Sequence, residues 1–186
     1  MGGGDIPRLT WPTRPYVASG GAITEANMAD SAQYLTLGLG QETFGIDIRG
    51  VREILDMQPI TRLPHAPHFL IGIIDVRGVG YPVVDLRAKL DLPRVEPTSA
   101  TRIIIIDVSL SGRTMGIGFV ADRVLEVTRL DDAQADAPPE VGGRWVSRYI
   151  SAIGRKDSGF VIIFDLARLM EEDDVCIVAE NVEAAA

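Results

Sequence analysis

The chain has 186 residues, 46% hydrophobic and 24% charged, a balance that suits one ordinary globular domain or two small ones sharing a core. Its net charge of −8 is concentrated at one end, where residues 171–186 carry six acids and no base, while residues 31–170 are close to neutral. A near-neutral body has no basic excess with which to displace counterions from nucleic acid, and no apolar run approaches the roughly 18–20 residues of a membrane span, so neither nucleic acid binding nor membrane insertion is expected.

The start, MGGGDIPRL, has no basic region followed by an apolar one, and the expectation is a cytoplasmic protein without a signal peptide. Residues 1–31, rich in Gly and Pro and without periodicity, read as a flexible leader. Order is expected from about residue 32. Leu35, Leu37 and Leu39 alternate with polar or small residues, and Phe44, Ile46 and Ile48 alternate after a break at 40–43, which predicts a β-hairpin with one apolar face. Val51, Ile54 and Leu55 stand at helical spacing and predict a short helical turn capping the hairpin. A short strand is predicted over 60–63. The runs 71–76 and 81–86 predict two more strands around Arg77-Gly78, with Gly78 suited to a positive φ angle. Asp85 is placed to cap a short helix ending near Leu90.

Residues 92–100, with two prolines and no periodicity, read as a linker, after which the plan repeats. Strands are predicted at 103–108, 115–119, 149–153 and 160–164, with Val124, Leu125 and Val127 continuing the apolar pattern, a long loop at 131–144 and a short helix at 165–170. Phe44-Gly45-Ile46 matches Met115-Gly116-Ile117, and Val84-Asp85-Leu86 matches Phe164-Asp165-Leu166. About five short strands per half predict two small barrels that must pack together to bury enough surface.

Catalytic chemistry finds little support. His65 and His68 share one proline-framed loop with no further ligand at metal spacing. Gly116-Ile117-Gly118 with Ala121 spells G-x-G-x-x-A, but these glycines lie inside an alternating strand, whereas a dinucleotide site needs a helix to begin there. The one cysteine, Cys176, sits in the acidic tail without an obvious base. No cofactor, metal or catalytic residue is expected.

Six segments carry a resemblance: FGIDI at 44–48, VREI at 51–54, ITRLPHAPHFLIGIIDVRG at 60–78, YPVVDLR at 81–87, MGIGFVADRVLEV at 115–127 and FDLARLM at 164–170. In this order and spacing the chain resembles the CheW family of chemotaxis coupling proteins. The resemblance implies a mainly β fold of two packed SH3-like five-stranded barrels over residues 32–174. The first subdomain is expected at about 40–92 and the second at about 100–172, with the termini free to cross between them, and 175–186 remaining as an acidic tail. It implies an adaptor without enzymatic activity, recruited to membrane-associated receptor arrays. Its partners would be the regulatory domain of a CheA-type histidine kinase and the cytoplasmic hairpin of a chemoreceptor. Glu53 and Arg77 are the implied receptor-binding pair, joined by Val51, Gly72 and Val79 at the same end, while Ile54 is expected to be buried. The kinase-binding residues stay unassigned. Where the family motif reads Asn-Leu-Arg-Gly, this chain reads Asp75-Val76-Arg77-Gly78. The alternatives are a CheW-like scaffold in a non-chemotactic pathway and a small β-barrel ligand-binding protein or enzyme.

Overall fold

The computed structural model describes residues 32–110, 113–129, 135–136, 149–156 and 159–170; the expected leader and acidic tail, and most of the 131–144 loop, lie outside these. Alternating apolar residues become strands in both halves. In the first, β1 (Gln33–Leu39) and β2 (Glu42–Asp47) form a hairpin turning at Gly40, φ +63°. After one 3-10 turn at Ile48–Gly50 come β3 (Val51–Asp56), β4 (Leu70–Val76), β5 (Val79–Asp85) and helix α1 (Leu86–Lys89). The second half supplies β6 (Arg102–Leu110), β7 (Arg113–Ala121), β8 (Arg123–Arg129), β9 (Ala135–Asp136), β10 (Ile150–Lys156), β11 (Gly159–Phe164) and helix α2 (Leu166–Leu169). Both helices start as expected. Asp85 Oδ1 accepts from Arg87 N and Ala88 N, and Asp165 Oδ1 accepts from Arg168 N, each satisfying backbone donors that a helix start leaves free.

Two local expectations are corrected. Residues 51–56 form a strand, not a helical turn. A register shift between Val51 and Glu53 in the β3–β6 ladder inserts one extra residue, so the apolar residues fall at helix-like intervals along an extended chain. Between residues 60 and 63 there is no strand, only a single bridge from Thr61 to Ile73 of β4.

The expected pair of closed five-stranded barrels is also corrected. The strands form two open sheets, ordered β8-β1-β2-β11-β10-β9 and β3-β6-β7-β5-β4. Among the described residues no ladder joins β3 to β4 or β8 to β9. Side-chain alternation tells which face of a strand is buried; it carries no information on whether the outermost strands pair. Among the described residues the outer edge of β4 is met by a single bridge, in which Thr61 N donates to Ile73 O at 2.9 Å and Thr61 O accepts from Ile73 N at 2.8 Å.

Each sheet mixes the two halves of the chain. The β1–β2 hairpin joins the sheet of β8–β11, and the β6–β7 hairpin joins the sheet of β3–β5. The two sheets follow one plan, since β2 pairs in parallel with β11 as β7 pairs in parallel with β5. Gly45 lies opposite Ile163 and Gly118 opposite Val83, so the structural partner of Gly45 is Gly118 and not Gly116.

The main core lies between the sheets. Leu35, Leu37, Ile46 and Phe164 of one meet Ile104, Ile106, Ile117 and Phe119 of the other. A second cluster, Ile74, Val83, Ile103 and Ile105, occupies the other face of the five-stranded sheet beneath Met57 and Ile60. Among the ion pairs that join the halves of the described chain, that of Arg87 and Asp122 is the most buried. Arg87 Nε and Nη2 donate to Asp122 Oδ1 and Oδ2 at 2.8 and 2.6 Å, Arg87 Nη1 donates to Pro93 O, and Gly40 N donates to Asp122 Oδ2 at 2.6 Å. Both side chains are mostly buried, so the bidentate geometry and the extra hydrogen bonds are what offset the loss of water.

Candidate functional site

The residues singled out from the sequence gather at the open edge of the five-stranded sheet. β3 is one margin of that sheet and β4 the other. Glu53 stands on β3, and Arg77 stands at the tip of the β4–β5 hairpin. Arg77 Nη2 donates to Glu53 Oε1 at 2.7 Å, linking the two margins across the gap that no ladder closes. Thr61 meets β4 further along the same strand. Glu53 is only partly exposed, while Arg77 is 81% exposed.

The turn that presents Arg77 is tight. Arg77 has φ +56° and Gly78 φ +82°, the pair of left-handed residues that a two-residue hairpin of matching twist requires. Asp75 Oδ1 accepts from Gly78 N at 2.9 Å and holds the turn from inside. Gly78 behaves as expected. Arg77 does not suit the position by backbone preference, because a side chain at φ near +60° costs about 1–2 kcal/mol and Asn, Asp or Gly would be better tolerated.

Around the pair, Val79 at the start of β5 is 51% exposed and Ile54 is 41% exposed. The expected burial of Ile54 is thereby corrected; it lies opposite Ile104 on the margin strand β3, where no neighbouring strand covers it. Val51 is half-buried and packs against the main core. Gly72 has a different local reason. At φ +149° a Cβ would lie 2.2 Å from the Thr61 carbonyl oxygen, so the close approach that this glycine permits is that of the chain's own Thr61. On β3 beside Glu53, Arg52 Nε donates to Asp107 Oδ2 at 2.8 Å and Nη1 donates to Tyr81 Oη at 3.3 Å, which fastens the edge strand to β6 and β5. Asp107 and then Tyr81 raise the Arg52 guanidinium pKa above its ordinary value. The Tyr81 ring lies over Gly116, where a Cβ would be 2.5 Å from it.

Sequence reasoning missed the turn-holding role of Asp75, the Arg52–Asp107–Tyr81 network and a second edge pair. On β8, Glu126 pairs with Lys156 at the end of β10. Val124 pairs with Leu37 where Val51 pairs with Ile106, so Glu126 holds in the six-stranded sheet the register that Glu53 holds in the other. An alignment of the two halves through Val51 and Val124 would have exposed this equivalence.

The glycines of G-x-G-x-x-A lie within β7, which continues as a strand through Ala121, so no helix N-terminus meets a phosphate there. His68 Nε2 lies 3.2 Å from the Ala88 carbonyl oxygen. Among the described residues no group of three or more His, Cys, Asp or Glu is arranged to hold a metal, and no helix is long and apolar enough to cross a membrane.

Comparison with known proteins agrees with this architecture. The CheW-like domain model matches residues 33–174. The chain is 30% identical over 146 residues to the chemotaxis protein CheW of Klebsiella aerogenes, spanning 78% of this chain and 86% of that protein. It is 27% identical over 153 residues to a probable chemotaxis protein CheW of Rhizobium etli, spanning 82% and 96%. The crystal structure of the scaffolding protein TtCheW from Thermoanaerobacter tengcongensis is similar at a TM-score of 0.68 and 29% identity, over 78% of this chain and 96% of that one. The chain belongs to the CheW family, and its function is the family's: a non-catalytic adaptor that couples a CheA-type histidine kinase to chemoreceptors.

Proposed function

We propose that the Glu53–Arg77 edge of the five-stranded sheet receives the cytoplasmic helical hairpin of a chemoreceptor. The backbone of Arg77 carries this reading, because it is held at φ +56° where a smaller residue would cost less. Stability does not account for the choice, since an exposed ion pair contributes about 0–1 kcal/mol, no more than the turn forfeits. What the arginine offers is a planar donor aimed along the sheet margin, partly engaged by Glu53 and largely open to water. Val79 and Ile54 supply apolar surface for the stripe of a receptor helix. Val51 supports β3 from the core side, and Gly72 serves the surface from beneath by letting the Thr61 segment lie against β4.

On this reading the regulatory domain of the kinase engages a separate surface, and the protein works in the cytoplasm at membrane-associated receptor arrays. The test is capture of a receptor hairpin and of the kinase regulatory domain, each alone. Arg77→Ala is expected to weaken receptor binding about tenfold, equivalent to about 1.4 kcal/mol, with kinase binding and Tm unchanged. Receptor affinity equal to the parent's would remove Arg77 from the site.

A further inference from the structure

Apart from the single Thr61–Ile73 bridge, every backbone ladder within one half of the described chain joins consecutive strands: β1–β2 and β4–β5 in the first half, β6–β7, β9–β10 and β10–β11 in the second. The remaining four ladders, β1–β8, β2–β11, β3–β6 and β5–β7, all run between halves. Neither half therefore holds a complete sheet. Each lends a hairpin to the other, and the Arg87–Asp122 ion pair also runs between them. The covalent connection between the halves is the segment 92–100, whose residues from Pro93 onward are exposed. It is pinned at its start by Leu92 N to Arg87 O and Arg87 Nη1 to Pro93 O, both 2.8 Å.

We propose that this chain forms a dimer with a second copy of itself by exchanging halves, residues 32–91 of one copy completing both sheets with residues 101–170 of the other. All four ladders, the shared core and the ion pairs Arg87–Asp122, Arg52–Asp107 and Asp56–Arg102 are then reproduced between copies, and only the course of segment 92–100 changes. In the monomer the connection holds the halves at an effective concentration on the order of millimolar, so the single-chain form prevails in dilute solution. Exchange requires all four ladders to break, so the two forms interconvert only through unfolding. The dimer presents two Glu53–Arg77 edges in one particle.

The test uses full-length variants with opposite defects. Arg87→Glu in one copy and Asp122→Arg in another each place like charges at the joint between halves. In an exchanged dimer of the two variants, both joints carry opposite charges. At one joint the two substituted side chains face each other, glutamate against arginine, and at the other the native Arg87 faces the native Asp122. The two variants are unfolded, mixed and refolded, and compared with each refolded alone and with the R87E/D122R double variant, which sets the Tm of a matched reversed joint. The expected result is a species of twice the monomer mass by light scattering, melting above either single variant. Parent protein refolded at about millimolar concentration is likewise expected to contain dimer that persists on dilution. A mixture that yields only monomers with the separate variants' melting temperatures, together with parent protein that refolds to monomer alone at that concentration, overturns the proposal.

Discussion

Asp75 shows how one hydrogen bond shapes a surface several residues wide. Its carboxylate accepts the amide hydrogen of Gly78, three residues on, and so keeps Val76-Arg77-Gly78-Val79 in the tight form that turns Arg77 back toward Glu53. An asparagine amide oxygen could accept the same bond, whereas alanine could not. Asp75→Asn is therefore expected to keep receptor affinity within about twofold of the parent, and Asp75→Ala to lower it several-fold. Titration of a receptor hairpin against both variants separates the loss of the bond from the loss of the charge. If the asparagine and alanine variants fell together, the negative charge and not the turn would be what matters. Arg87 and Asp122 show a buried counterpart. The Arg87 guanidinium holds the Asp122 carboxyl below its ordinary value of 3.8, against the opposing effect of burial, with the Gly40 amide adding to the depression. A depressed carboxylate contributes stability that is present above the unfolded value and is lost as pH falls through the folded one. The parent is thus expected to lose stability on acidification below about pH 4, and Arg87→Ala to lose less of what it retains over the same interval. Urea unfolding at several pH values measures both slopes. Equal slopes would detach the ion pair from the acid response. At pH 7, removal of Arg87 is expected to cost about 3 kcal/mol, because it leaves Asp122 mostly buried without its bidentate partner, with the Gly40 amide and the more distant Arg123 charge remaining.

Strands were legible wherever their side chains alternate without interruption. Leu35, Leu37 and Leu39, and Phe44 with Ile46, foretold β1 and β2, and Asp85 and Asp165 foretold both helix starts. β3 was not legible because the extra residue between Val51 and Glu53 gives Val51, Ile54 and Leu55 a helix's intervals; Ile54 is exposed because β3 stands at the margin of its sheet, which side-chain spacing does not reveal. Closure of the barrels was misjudged because strand margins depend on backbone pairing, which leaves no periodic trace. The repeat was legible at Asp85 and Asp165 but slipped by two residues at the glycines, since the hairpin β6–β7 has longer arms than β1–β2. At the site, the family resemblance drew attention to Glu53 and Arg77, and the structure brings them within 2.7 Å; the part played by Asp75 needed the turn itself. Gly72 belongs to the same scale. Its hydrogen occupies the space where Thr61 meets β4, and its φ of +149° is one that side chains rarely adopt. Gly72→Ala is expected to destabilise the protein by about 2 kcal/mol or more. Chemical denaturation tests this, and a change under about 0.5 kcal/mol would show that the Thr61 segment yields freely.

The whole molecule is governed by a core that belongs to neither sheet alone. Phe119 is fully buried on β7, a strand of the second half set in the sheet of the first, and it joins Leu37 and Ile46 in the cluster between sheets. Phe119→Ala is expected to cost about 3–5 kcal/mol. Both sheets should then melt in one transition at a lower temperature, because neither retains a complete set of strands when the other opens. Calorimetry with probes in each sheet reads this directly, and two separated transitions would contradict a shared core. The adaptor is in this respect unlike a string of two modules, either of which would survive the loss of its neighbour.

That interdependence bears on what damaged copies do in a cell. A premature stop ahead of β6 removes the two central strands of the five-stranded sheet together with β8 to β11 of the other, so the remnant has no intact Glu53–Arg77 margin to offer. Copies truncated there are expected to be cleared and not to linger as decoys that occupy receptors without passing on a signal.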